Sequence, residues 1–107
     1  MNSLNVIKNA LLGVTDKVFH YQADGKACDK YIVWAEDGEG SAFKADNIRQ
    51  DCSMTGTVKY FTKTEYDENV EKIQKALNTA DVSFFLIAVE YNRETEIIEY
   101  TWEFEVV

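Results

Sequence analysis

Apolar residues near the start recur at helical spacing: Leu4, Ile7, Ala10 and Leu11 share one stripe. Ser3 stands before them as a candidate N-cap and Gly13 after them as a stop signal, which predicts a short amphipathic helix over residues 3 to 12. Val18 to Tyr21 is a short β-prone run, closed by the turn signal Ala23 to Lys26 with Gly25 supplying the tight bend. Tyr31 to Ala35 reads as a second strand, and the two runs are expected to pair as a hairpin. Glu36 to Ser41 is small, acidic and glycine-bearing, the pattern of a mobile loop. Ala42 to Asp51 is ambiguous between a short edge strand and an irregular connection.

From Cys52 to Thr62 the period is two. Cys52, Met54, Val58 and Tyr60 face one way, and Ser53, Thr55, Thr57 and Lys59 the other. Gly56 inside this run suggests a bulge or a close backbone approach. Thr64 and Asp67 form an acidic variant of the capping box, opening a helix with Tyr66, Val70, Ile73 and Leu77 on its apolar stripe and Asn78 as its left-handed stop. Val82 to Tyr91 is apolar on both faces, Phe84, Leu86 and Ala88 against Phe85, Ile87 and Val89. Such a strand needs cover on two sides. After a turn at Asn92 to Thr95, Ile98, Tyr100, Trp102, Phe104 and Val106 alternate with Glu99, Thr101, Glu103 and Glu105. The fold class that follows is α+β, a mainly antiparallel sheet with two helices on one face in the order α-β-β-β-α-β-β.

With 107 residues, 46% of them hydrophobic, the chain can close one core unaided, and a single domain over residues 1–107 is expected. No run approaches the roughly 20 apolar residues of a membrane span. The opening residues lack the basic, long-apolar character of a secretory signal, so a cytosolic setting is the default and Cys28 and Cys52 read as reduced thiols. Nineteen acidic against eleven basic residues leave a net charge of −8. That surface repels a phosphate backbone and argues against sequence-specific binding of nucleic acid.

Catalytic sets are missing from the pattern. The single histidine, His20, lies in a strand-like run, where a structural or surface role is expected. No nucleophile elbow, P-loop or dinucleotide fingerprint occurs. Two distant cysteines and one histidine do not make a zinc site, and the acidic loops at Asp37 to Glu39 and Asp46 to Asp51 do not match a calcium loop. No cofactor, no metal and no enzymatic activity are expected. Two features stand out: the second apolar face at Phe85, Ile87 and Val89, and the acidic row Glu99, Glu103 and Glu105 beside Glu90. With the loop acids Glu36, Asp37 and Glu39, these are the candidate contact residues for copies of the chain or for a partner.

The ordered segments Val18 to Tyr21, Tyr31 to Gly38, Ala45 to Asn47, Gly56 to Asp67, Glu90 to Thr95 and Tyr100 to Phe104 resemble a family of small prophage proteins from tail-assembly clusters. These are similar to the tail terminator, or head–tail joining, subunits of long-tailed bacteriophages. The chain departs from that pattern at Cys28 to Lys30, where proline is frequent, and at Glu96 and Ile97, where glycine is common in the hairpin. The resemblance implies an antiparallel sheet with a packed helix and a homo-oligomeric ring, by expectation a hexamer. That ring would cap the tail tube, meet the head connector and let DNA pass through its centre. Its expected partners are therefore other copies, the tail-tube protein and the head-completion or connector protein. Its expected place is the bacterial host cytoplasm during assembly and the virion tail afterwards. A rival of another class is an acidic inhibitor or DNA mimic that fills a basic cleft of a nucleic-acid enzyme; the charge fits it, whereas the eleven interspersed basic residues do not.

Overall fold

The computed structural model describes residues 2–21, 30–39 and 54–106. Its elements are α1 (Asn2–Leu12), β1 (Val18–His20), β2 (Tyr31–Glu39), β3 (Met54–Thr62), α2 (Glu68–Thr79), β4 (Ser83–Asn92) and β5 (Ile97–Val106). The strands make one sheet in the order β1-β2-β3-β5-β4. All neighbours are antiparallel except β1 and β2. The α+β class and the order of elements are those the patterning predicts. The Ala23 to Lys26 turn, the segment Ala42 to Asp51, the acidic stretch Asp46 to Asp51 and the thiols of Cys28 and Cys52 lie outside the described residues.

One face of the sheet carries the core. Ile32, Trp34, Val58, Tyr60, Trp102, Phe104 and Val106 are buried there against Ile7 and Leu11 of α1 and Ile73 and Leu77 of α2. The period-two alternation of β3 and β5 produces this face directly, because side chains opposite one another in an antiparallel ladder point the same way. Val58 stands opposite Trp102 and Tyr60 opposite Tyr100.

Several local details differ from the pattern. The first two strands are parallel, with Val18 beside Ile32 and His20 beside Trp34, so the expected hairpin does not form. The cause is local: Tyr21 takes a left-handed φ of 75° and breaks the strand after its N–H donates to the Trp34 carbonyl. The second strand also runs on to Glu39, through residues whose composition reads as a loop. A bulge at Asp37 and the Thr55 hydroxyl, which donates to the Asp37 carboxylate at 2.8 Å, let it stay paired to β3. Opposite it, Gly56 provides the close backbone approach. The bulge sits in the partner strand.

The helix ends move too. Helix α1 begins at Asn2, which places Ser3 inside its first turn; burial of Leu4 and Ile7 against the core fixes the turn upstream of them. The cap of α2 is Asp67, whose carboxylate accepts from the Asn69 N–H, so Thr64 is left outside. Tyr66 is exposed at φ 58° and off the apolar stripe, since Asp67 is drawn inward by the hydroxyls of Tyr60 and Thr62. At the other end, Asn78 stays helical and the left-handed residue is Asp81 at φ 62°. The Asp81 N–H donates to the Asn78 carbonyl and the Val82 N–H to the Leu77 carbonyl, a Schellman closure with Val82 returning to the core.

The turn between β4 and β5 ends on Glu96 at φ 62°, a conformation that costs a residue with a Cβ on the order of 1 kcal/mol. Glu96→Gly is expected to raise stability by about 0.5–1 kcal/mol, after allowing for the looser unfolded chain. Thermal unfolding followed by circular dichroism checks it, and an unchanged or lower midpoint would contradict the account.

Candidate functional site

Strand β4 lies at one end of the sheet and, among the described residues, pairs only with β5. It carries the largest apolar exposure among the described residues: Phe85 58%, Leu86 44%, Ile87 47%, Val89 52% and Tyr91 58%. An open strand edge of this composition invites another chain to pair with it, and soluble proteins normally blunt such edges with charge or proline. From Ser83 to Val89 there is neither.

The faces of β4 are not the simple alternation its sequence suggests. The register shifts between Leu86 and Ala88, leaving Ile87 as the bulged residue. Phe84 and Leu86 stand opposite Phe104 and Trp102 on the core side, and after the bulge Val89 and Tyr91 take over that side opposite Tyr100 and Ile98. Phe85 and Ala88 therefore share the other face with Glu90, and Val89 does not join them. Leu86 and Tyr91, absent from the candidate residues of the sequence, belong to the exposed apolar strip. No residue in the sequence marks the bulge.

On the side away from the helices, the sheet brings the acidic row together. Glu90 is directly opposite Glu99, Phe85 opposite Glu103 and Ser83 opposite Glu105. Glu103 is exposed, while Glu99 and Glu105 are half-buried. Lys59 of β3 reaches Glu99 at 3.5 Å, and the buried Thr101 hydroxyl donates to the same carboxylate at 3.5 Å. Beside the acids lies an aromatic group. Tyr31 and Phe61 stack at 4.6 Å, and Phe19 meets Tyr31 edge-on at 6.2 Å. A groove of about 720 Å3 runs between this stack and the β4–β5 turn, lined by Tyr31, Phe61, Glu90, Arg93, Glu94 and Glu99 among others. A second depression of about 380 Å3 continues from the same two rings over Val33, Thr57 and Lys59. The sequence signal for Tyr31 is the run Tyr31 to Ala35, which is apolar on both faces as β4 is.

The remaining candidate acids belong to β2. Glu36 accepts from the Tyr21 hydroxyl at 2.6 Å and pairs with His20 Nε2 at 2.7 Å. The Tyr21 bond, then the His20 bond, hold its carboxyl down at about 2, while the hydrogen bond to Glu36 pushes the Tyr21 phenol up. The His20 ring is sandwiched between Tyr21 at 3.9 Å and Trp34 at 4.1 Å. Stacked on both sides and bonded to Glu36, the imidazole clasps the end of β1 to β2; among the described residues no serine, threonine or cysteine joins this arrangement. Asp37 is engaged by Thr55, and Glu39 ends β2 opposite Met54. The structure thus separates the candidates into the β4 strip, the acidic face, the Glu36 clasp and Asp37 held by Thr55, with Glu39 placed only by its backbone pairing. Among the described residues no group of three His, Cys, Asp or Glu side chains is placed to hold a metal ion, and no helix is long and apolar enough to cross a membrane.

No family model matches the chain, and no curated protein sequence matches it. Among solved structures it is similar to a chain of the "Virion of native gene transfer agent (GTA) particle", with a TM-score of 0.55. That likeness covers 98% of this chain and 93% of the other, at 8% identity. Agreement at such identity is agreement of fold, and it extends over nearly the whole of both chains.

Proposed function

We propose that this chain is a structural subunit of a phage-type virion, of tail-terminator type. It forms a ring with copies of itself, caps the tail tube and joins it to the head connector, without catalysis. The observation that carries this reading is the exposed apolar strip on the open edge of β4, where Phe85, Leu86, Ile87, Val89 and Tyr91 all meet solvent. A neighbouring subunit that covers this strip removes both the apolar exposure and the unpaired backbone edge. Contact between two different surfaces of the same chain is head-to-tail, and such contacts close into rings when the rotation allows. The fold shared with a chain of a virion particle supports the reading. So does the net charge of −8, which would let DNA pass without gripping it. In this reading Phe85, Ile87 and Val89 serve self-contact, and the acids Glu99, Glu103 and Glu105 face a different protein. The rival reading as a DNA mimic has less support, because Phe85 interrupts the acidic row and Lys59 neutralises part of it.

The test is assembly. Light scattering and negative-stain microscopy, with purified tail-tube protein added as a template, should reveal rings. The pair Ile87→Lys with Val89→Lys alters two exposed positions, so the monomer should keep its circular dichroism spectrum and melting midpoint. Losing about 3 kcal/mol of apolar burial per contact should weaken association about a hundredfold. Rings that persist in this variant, or a wild-type chain that stays monomeric even on tube protein, would overturn the proposal.

A further inference from the structure

The sheet face opposite the helices has no element packed on it among the described residues, yet it is neither uniformly polar nor flat. At the end of it nearest the β4–β5 turn lies the Tyr31–Phe61 stack with Phe19 at its side, and along β4 and β5 stand Glu90, Glu99 and Glu103. The two grooves meet at these rings. We propose that this face is a docking site for a basic segment of another protein, one that places a bulky apolar side chain on the rings with Lys or Arg on the acidic side.

Charge decides the occupant. A second copy presenting this same face would set acid against acid, and its net charge of −8 makes it a poorer complement to the face than a basic segment is. A cationic segment meets the opposite case: guanidinium or ammonium groups reach Glu90 and Glu103, and the aromatic faces accept both apolar contact and cation–π contact. Lys59 is drawn toward Glu99 and leaves the outer acids, Glu90 and Glu103, as the margin that a partner meets. The inference deepens the assembly reading by naming what the acidic face takes. It rests on that reading only in supposing that the chain meets a second protein.

The probe is a fluorescein-labelled peptide alternating Arg with Leu around a central Trp, read by anisotropy and by amide chemical-shift mapping. Two counterparts replace Arg by Glu, or Leu and Trp by Gly. Saturable binding of the first alone, with shifts at Tyr31, Thr57, Phe61 and Thr101, is the expected result. Glu103→Lys should weaken it tenfold or more. Glu71→Lys makes the same change of net charge on helix α2 and should alter it less than twofold. Phe61→Leu, which keeps the core side intact, should weaken it several-fold. Equal losses in the two charge variants, shifts on α2, or no binding at all would overturn the proposal, as would self-association abolished by Glu103→Lys. Ring formation by Glu103→Lys, scored separately by light scattering, keeps a failure of the docking site distinct from a failure of the assembly reading.

Discussion

Gly56→Ala should destabilise the fold by about 3 kcal/mol or more, beyond the usual 1–3 kcal/mol of an overpacked core, because the clash is with backbone as well as with a side chain. A methyl group at Gly56 would run into the Ala35 carbonyl oxygen of β2 and come within 2.6 Å of the Phe104 ring. Neither can give way cheaply. Phe104 is packed in the core, and Ala35 precedes the Asp37 bulge that keeps the acidic end of β2 paired to β3. For a domain of this size about 3 kcal/mol corresponds to a fall in melting midpoint on the order of 12–24 °C. Gly38→Ala is the control in the same strand pair. Its added methyl would lie 3.9 Å from the Thr55 hydroxyl, an ordinary contact, so stability should stay within about 1 kcal/mol of the parent. Urea unfolding of both variants separates the two positions, and equal midpoints would refute the packing argument.

That contrast illustrates how the chain can be read from its residues. Strands β3 and β5 were legible because each sets its large apolar side chains mainly on one face, so period two survives in the letters. Gly56 was legible for a related reason, since a glycine inside a β-rich run has few other uses. What was not legible depends on partners distant in sequence. Residues 36–39 have loop composition and become strand because β3 supplies Met54, Thr55 and Gly56 as partners. Asp67 displaced Thr64 as cap because Tyr60 and Thr62, on the preceding strand, donate to it. The candidate contact surface shows the same division. That β4 is apolar on both sides could be read directly, and the structure leaves five of its large apolar side chains exposed. The bulge at Ile87, which decides that Val89 lies on the core side and Phe85 among the acids, arises from the pairing with β5.

Asp67→Ala should cost about 3–5 kcal/mol, because one buried carboxylate serves four partners. Its Oδ1 accepts from the Asn69 N–H at 2.9 Å and caps α2. Its Oδ2 accepts from the Thr62 hydroxyl at 2.7 Å and the Tyr60 hydroxyl at 2.8 Å, and Lys30 Nζ is 3.2 Å away. Removal leaves two buried hydroxyls short of an acceptor, each costing about 1–3 kcal/mol, besides the lost cap. Asp67→Asn keeps an oxygen for the cap and should cost less, about 1–2 kcal/mol, which isolates the charge. Burial alone would raise the carboxyl, but the Asn69, Thr62, Tyr60 and Lys30 bonds outweigh it and hold the group below its ordinary value of 3.8. A lowered carboxyl stabilises the fold fully above that ordinary value, and the contribution fades as pH falls through the lower, folded-state value. The Tyr60 phenol, pushed up to about 12 chiefly by burial, titrates far from this window. The stability gap between the parent and Asp67→Asn should therefore be constant from pH 7 to pH 5 and narrow below about 4. Glu36, held down at about 2, acts equally in both proteins and cancels from the difference. A gap that stays level into strong acid would mean that the charge contributes nothing, leaving the cap and the two hydroxyl bonds as all that Asp67 supplies.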